Sequence, residues 1–244
     1  MAAITSARNP LVMKMRSLRD RKGRESEGLF LMEGEKFVFD ALLKGHKPEA
    51  LLCTQKHMSA FQSSGPQLIG ESAALAMSSV KSPQGVFAAF RIPEPPKALL
   101  DAERVLYLDR VQDPDNVGSL VRSAVCAGYG GVLSDEGTAD FYSPKAVRSS
   151  AGAVMEISVS RSGLGGLAIL KNSGFRIYCA DASAEGLPEF RAPFALAIGS
   201  EGQGASPETA ALADAFASVR MPGAFDSLNA AAAGALLMFK SIGF

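Results

Sequence analysis

Three stretches of this 244-residue chain gather polar side chains and glycines where apolar runs end. The first, DRVQDPDNVGSLVRSA, carries Asn116 and, six residues later, Arg122. Asp115 or Asn116 is suited to cap a helix here, and Gly118 keeps its first turn open. Arg122 has Leu120, Val121, Ala124 and Val125 as neighbours, so this helix should be largely packed. A guanidinium on it needs a carboxylate partner or a task. The second stretch, FALAIGSEGQGAS, crowds Gly199, Gly202 and Gly204 into a loop leaving an apolar run. Glycines there let backbone N–H groups approach a ligand. Glu201 in the same loop is suited to be a base, a hydrogen-bond anchor or only a helix-start charge. The third, MPGAFDSLNAAAAGALLMF, runs from Met221 to Phe239. Pro222 and Gly223 shape its turn, Asp226 or Ser227 caps the helix, and Asn229 points a two-sided amide outward.

These residues narrow the chemistry. The glycine spacing is GxxGxG rather than the GxGxxG of dinucleotide folds, and no GxxxxGKS/T phosphate loop occurs. A nucleotide-type ligand must therefore be held by another route, which argues against a nucleotide-dependent oxidoreductase. Cys53, Cys126 and Cys179 form no CxxC pair, and His46 and His57 do not complete a usual zinc set with them. Each cysteine reads as a buried thiol, and no metal is expected.

The elements that must position these loops alternate along the chain. In the first part, NPLVMKMRSLRDRKGR has a helical pattern, with Leu11, Met15 and Leu18 on one face. GLFLME reads as a strand, and EKFVFDALLKG as an amphipathic helix stopping at Gly45. EALLCT, PQLIG and QGVFAAF are further short strands. The run RIPEPPKALLDAERV, with Pro93, Pro95 and Pro96, reads as a linker. It divides the chain into residues 1–92, a connection over 93–97, and residues 98–244. In the second part RVLYLDR, GGVLSD, VMEISV, FRIYCAD, FALAIGS and ASVRMPG read as strands. Between them lie helices over NVGSLVRSAVCAGYG, SPKAVRSSAG, SPETAALADA (with Ser206 as cap) and SLNAAAAGALLMFK. Apolar strands separated by helices mark a parallel sheet covered on both faces. Ligands of such sheets sit beyond the carboxyl ends of the strands.

Composition sets outer limits. At 47% hydrophobic the chain can bury a core. It has no apolar run of about 18 residues, so no membrane span is expected. Its first residues have no apolar core of signal type, which makes a cytoplasmic protein the expectation. The formal net charge is zero, but residues 1–24 hold seven basic side chains against one acidic. Such a segment suits phosphates or a solvated helix face.

Taken together and in order, NVGSLVRSA, IGSEGQG and MPGAFDSLNAAAAGALL resemble the three signature motifs of the SpoU/TrmH family of RNA ribose 2′-O-methyltransferases, in the SPOUT superfamily. GTADFYSPKAVRSSAGAV between them looks like the family too. The N-terminal ITSARNPLVMKMRSLRDRKGRESEGLFLMEGEKFVFDALLKG and SPQGVFAAF resemble its substrate-binding domain, so the likeness covers nearly the whole chain. It implies an α/β fold: a C-terminal parallel-sheet SPOUT domain with a deep trefoil knot, plus a small N-terminal α/β substrate-binding domain. It implies a homodimer, and small residues such as Ala230–Ala233 and Gly234 fit both a knot and close helix packing.

The resemblance further implies S-adenosylmethionine as cofactor, held by Gly199, Ser200, Gly202, Met221 and Leu228. Arg122 matches the catalytic arginine, and Asn116, Glu201, Ser227 and Asn229 match the other polar motif positions. Methyl transfer to a ribose hydroxyl requires loss of its proton. A guanidinium holds its own proton above pH ~12, so Arg122 suits electrostatic stabilisation better than base catalysis. Arg8, Lys14, Arg16, Lys22 and Arg24, with Lys145 and Arg148, would grip structured RNA through phosphates. Ribosomal RNA is the favoured substrate and transfer RNA the alternative; a non-catalytic RNA-binding protein on the same scaffold is the rival reading.

Overall fold

A computed structural model of the chain describes residues 3–94, 99–219 and 228–244. Two compact units emerge: Met1–Pro93 with Tyr142–Gly152, and Glu94–Phe141 with Ala153–Phe244. The segment 142–152 follows the proline-rich stretch in sequence, yet it packs with the first unit.

The first unit begins with α1 (Pro10–Ser17) and α2 (Arg21–Glu27), followed by β1 (Leu29–Glu33) and α3 (Glu35–Leu43). Next come β2 (Ala50–Thr54), β3 (Gln67–Ile69), α4 (Glu71–Met77) and β4 (Val86–Arg91). The sheet order is β1-β4-β2-β3, with β4 antiparallel to both neighbours and β2 parallel to β3. Val12, Met15 and Leu18 pack with Leu29, Leu31, Ala73, Ala74 and Met77 in one core. The single helix expected over NPLVMKMRSLRDRKGR is broken in two, because only its first half has apolar side chains to bury. A Cβ at Gly23 would lie 2.0 Å from the Ser17 carbonyl oxygen, so the corner between the halves requires glycine. Helix α4 was not evident from the sequence; its seven residues are too few to show a clear period.

The second unit holds β5 (Arg104–Leu108), α5 (Pro114–Cys126) and β6 (Gly131–Ser134). After α6 (Pro144–Ser149), which belongs to the first unit, it continues with β7 (Ser158–Arg161), α7 (Gly163–Asn172) and β8 (Arg176–Ala180). It closes with β9 (Phe194–Ile198), α8 (Pro207–Leu212), β10 (Ala215–Ala217) and α9 (Ala230–Lys240). The six strands are all parallel, in the order β10-β8-β9-β5-β6-β7. One face packs Val105, Tyr107, Leu133, Ile177 and Ala197 against Leu167 and Leu170 of α7. On the other, α5 and α9 lie together: a Cβ at Gly234 would come 2.4 Å from Leu120 and 3.5 Å from Ile198. The absent side chain lets the last helix settle on both α5 and β9.

Several boundaries differ from the sequence reading. Ala153–Met155 form a 3₁₀ turn, so the strand expected over VMEISV starts only at Ser158. The last strand ends at Ala217, where ASVRMPG was expected to begin it. Helix α7 was not foreseen, since its three glycines blur the pattern. Pro95 and Pro96 of the linker lie outside the described residues. So does the passage 220–227 on which the knot expectation depends. Among the described residues no helix is long and apolar enough to cross a membrane.

Candidate active site

Helix α5 starts two or three residues earlier than its motif suggested. Asp113, not Asp115 or Asn116, is the cap: its Oδ1 accepts from the Asp115 N–H at 3.1 Å, and Pro114 follows at the first helical position. This frees the Asn116 amide, which is 6% exposed, for other work. Asn229 is itself the cap of α9, its Oδ1 accepting from Ala231 N–H at 2.9 Å and Ala232 N–H at 3.3 Å. Its amide therefore faces its own helix as well as outward. The Nδ2 end donates to Asn116 Oδ1 and to Glu201 Oε1, each at 3.1 Å. Asn116 Nδ2 also donates to Glu201 Oε1. Three residues from three separate motifs thus close a triangle in which the two amides donate and Asn116 Oδ1 and Glu201 Oε1 accept. Glu201 is an anchor in this arrangement.

The loop that carries Glu201 is folded tightly on itself. Ser200 N–H donates to Gly204 O at 3.0 Å and Gly204 N–H to Ser200 O at 2.9 Å. Gly204 has φ +66°, the left-handed region that glycine enters freely. A Cβ at Gly199 would fall 2.0 Å from the Gly204 carbonyl carbon and 2.1 Å from Ala205 N. Around Gly202 there is open space. Beside this loop, beyond the carboxyl ends of β8, β9 and β10, lies a cavity of about 400 Å³. Segments 179–182, 198–205 and 216–219 line it, with Leu228, Ala230, Ala233 and Leu237. Gly199, Ser200, Gly202, Glu201 and Leu228 are therefore gathered at one cavity. Met221 and Ser227 lie outside the described residues.

Several cavity residues had not been singled out from the sequence. Phe216 is 42% exposed at the cavity, the one aromatic ring among its described lining residues. The Asp181 carboxyl is held below its ordinary range by the Ser183 hydroxyl and then the Ser183 N–H. Asp181 directly follows β8, where the rule for parallel sheets would have pointed, and Phe216 lies within the short strand β10. Cys179 also lines the cavity, but burial, then Asp181 and Asp109, push its thiol up to about 12. It is a packed thiol, not a nucleophile. Cys53 is buried likewise, whereas Cys126 is exposed at the last residue of α5, contrary to the sequence reading.

Arg122 stands apart from the triangle. Six residues carry it about 9 Å along the helix and roughly 120° around from Asn116. It is exposed, so the packed environment expected from its neighbours is not realised. The basic residues divide by role. Arg8, Arg16 and Lys22 are exposed, and Lys14 pairs with Glu27 at 2.8 Å. Arg24, expected at the surface, is 3% exposed and donates to Leu18 O and Arg19 O, each at 2.9 Å. It satisfies carbonyls that the end of α1 leaves open, a structural task. In the first unit Lys145 is exposed, and Arg148 donates to Ser79 Oγ at 3.1 Å. Among the described residues no group of three His, Cys, Asp or Glu could hold a metal ion.

Comparison with known proteins follows this division. Residues 9–88 match the MRM3-like substrate binding domain, and residues 103–239 match the SpoU rRNA Methylase family. The 23S rRNA (guanosine(2553)-2′-O)-methyltransferase RlmP of Bacillus subtilis (strain 168) is 34% identical, over 98% of this chain and 98% of that protein. An AdoMet-bound rRNA methyltransferase from Sinorhizobium meliloti superposes with a TM-score of 0.83 at 28% identity, covering 98% of this chain and 97% of that one. The SpoU methyltransferase AviRb from Streptomyces viridochromogenes, in complex with AdoMet, gives a TM-score of 0.80 at 25% identity, over 96% and 98% of the two chains. With its parallel sheet, its three converging motifs and more than half its length matched, the chain belongs to the SpoU rRNA methylase family.

Proposed function

We propose that this protein is an S-adenosylmethionine-dependent methyltransferase that modifies a ribose 2′-hydroxyl of ribosomal RNA. The observation that carries the reading is the triangle Asn116–Glu201–Asn229 at the edge of a cavity walled by the glycine loop. The residues present suit the cofactor. The space a Cβ at Gly199 would need is taken by the loop's own backbone, so the wall is main chain with polar N–H and C=O groups. Leu228 and Phe216 add apolar surface, and ionised Asp181 adds an acceptor at the rim. When bound, S-adenosylmethionine supplies an electrophilic methyl carbon on a sulfonium sulfur.

The chain's own contribution is to hold and to stabilise. The triangle fixes the glycine loop against the starts of α5 and α9, so the pocket is preorganised. Arg122, a fixed cation on α5, stabilises the alkoxide that develops as the ribose hydroxyl attacks, together with the neighbouring phosphate. Arg8, Arg16 and Lys22 contribute phosphate contacts, which predicts weaker RNA binding as salt rises. The reading includes a homodimer, for which the exposed Leu236 and Phe244 on and beyond α9 are available; light scattering of the purified chain checks it.

The decisive experiment pairs calorimetric titration of S-adenosylmethionine with a methyl-transfer assay on ribosomal RNA. Arg122→Ala should lower turnover by about 10²–10³-fold while cofactor affinity stays as in the wild type. Unchanged turnover would exclude the role. Wild-type protein that gives no heat with the cofactor would favour a non-catalytic RNA binder. Mapping 2′-O-methyl groups in RNA from cells with and without the protein identifies the nucleotide, and a lost mark in transfer RNA would redirect the substrate assignment.

A further inference from the structure

Asp109 directly follows β5 and is 2% exposed, yet the methyl-transfer reading gives it no task. Its backbone N–H donates to Ile198 O at 2.9 Å, which brings it beside the point where the chain leaves β9 for the glycine loop. Its Oδ2 accepts from the Ser206 N–H at 2.6 Å and from the Ser206 hydroxyl at 2.7 Å. Ser206 is the residue at which that loop ends and α8 begins, and its Oγ accepts from the Thr209 N–H at 3.2 Å. The chain of polar groups continues inward. Ser206 Oγ lies 3.0 Å from Thr209 Oγ1, and the Thr209 side chain is bonded to Tyr107, itself 1% exposed. On the other side Asp109 Oδ1 faces Arg110 Nε at 3.4 Å.

This is more than α8 needs. A capping serine satisfies its helix with the hydroxyl oxygen alone. A buried carboxylate is costly unless donors surround it, so a second, charge-assisted anchor beneath the same residue calls for a reason. The loop 199–205 supplies one. It is tied at its start by Gly199, the residue after β9, and at its end by Ser206, with the Ser200–Gly204 pair between them. Glu201 rides on that pair and reaches Asn116 and Asn229. We infer that Asp109 is a positioning residue: by clamping Ser206 it sets the shape of the 199–205 loop, and through it the cofactor wall and Glu201. The cofactor part of this inference rests on the function proposed above.

The test compares Asp109→Asn with Asp214→Asn in the full chain. Asp214 accepts a backbone N–H from Ile177 at 2.7 Å and pairs with Lys171, at the amino end of β8 and away from the glycine loop. The asparagine at 109 keeps the side-chain shape but removes the charge that strengthens both bonds from Ser206. Amide hydrogen exchange over residues 200–206 should quicken at least about tenfold in Asp109→Asn, and the S-adenosylmethionine dissociation constant should rise by about the same factor. Asp214→Asn should change neither. Should Asp109→Asn fail to fold, Ser206→Ala removes the hydroxyl half of the clamp and should move both readouts in the same direction by a smaller factor. Unchanged loop exchange in Asp109→Asn (or, failing that, Ser206→Ala) overturns the inference. So does faster exchange with unaltered cofactor affinity, and so does an equal effect from Asp214→Asn. If the wild type binds no S-adenosylmethionine, the functional reading fails on its own, and the exchange comparison still decides whether Asp109 orders the loop.

Discussion

Two turns leave the carboxyl ends of the same parallel sheet and are built in opposite ways. After β6, the Asp135 carboxylate accepts from Arg110 N–H, Thr138 N–H and the Thr138 hydroxyl through Oδ1, and from Gly137 N–H through Oδ2. Arg161 covers the carbonyls of Glu136 and Thr138. Donors and acceptors in that turn are spent on one another. After β9, the loop 199–205 has one internal pair, Ser200 with Gly204, and among the described residues nothing crowds Gly202 or Gly204. A saturated turn is scaffold, and an unsaturated turn beside a cavity is where a ligand can be met by main-chain groups.

The contrast can be broken at Gly199. Alanine there drives a methyl group into the Gly204–Ala205 backbone, and neither neighbour can step aside without opening the Ser200–Gly204 pair. Cofactor affinity should fall by about 100-fold or more, with stability reduced by about 1–3 kcal/mol. Near-normal calorimetric binding by Gly199→Ala would mean that the loop is not the cofactor wall. On the scaffold side, Asp135→Asn should cost about 1–3 kcal/mol of stability, read by denaturant titration, with cofactor affinity unchanged. Burial pushes the Asp135 carboxyl up, but bonds from Thr138, Arg110 and Gly137 outweigh it and hold the group below its ordinary value. Its contribution is therefore present above the unfolded carboxyl range near pH ~4 and is lost as pH falls through the folded value. The stability gap between wild type and Asp135→Asn should close in acid; a gap that widened would reverse the assignment. The smallest effect belongs to Gly202→Ala, where a new Cβ meets nothing within 4 Å. Stability should stay within about 0.5 kcal/mol, so any change in cofactor binding at this position reports ligand contact alone.

Much of the site could be read from the sequence because its residues are polar or glycine where apolar runs stop. Asn116, Gly199, Glu201, Leu228 and Asn229 meet at one place, although the interval from Asn116 to Asn229 spans 113 positions. What could not be read was how each backbone end is satisfied. Asp113 and Asn229 took the capping tasks assigned to their neighbours, because several adjacent Asp, Asn and Ser residues compete for each cap. Arg24 looked like any other surface cation, and only the break between α1 and α2 shows why it turns inward. Asp109 lay in plain view at the end of RVLYLD, but its partner Ser206 is 97 positions away, a pairing that no local pattern encodes. Strand existence was legible throughout, whereas the limits of β7 and β10 shifted with the turns beside them.

The cap at Asn229 sets an order of events during synthesis. Five of the six parallel strands and the glycine loop are complete once the ribosome has passed residue 198 and the next few codons, and β10 follows by residue 217. Glu201 and Asn116 can meet from then on, but the third corner arrives only when α9 has emerged and settled against Leu120 and Ile198 through Gly234. A nascent polypeptide therefore carries a nearly finished sheet with an open, unfastened pocket. Competence comes with the final helix, so a chain interrupted before it would lack the third corner of the pocket and the cover that α9 gives α5 and β9.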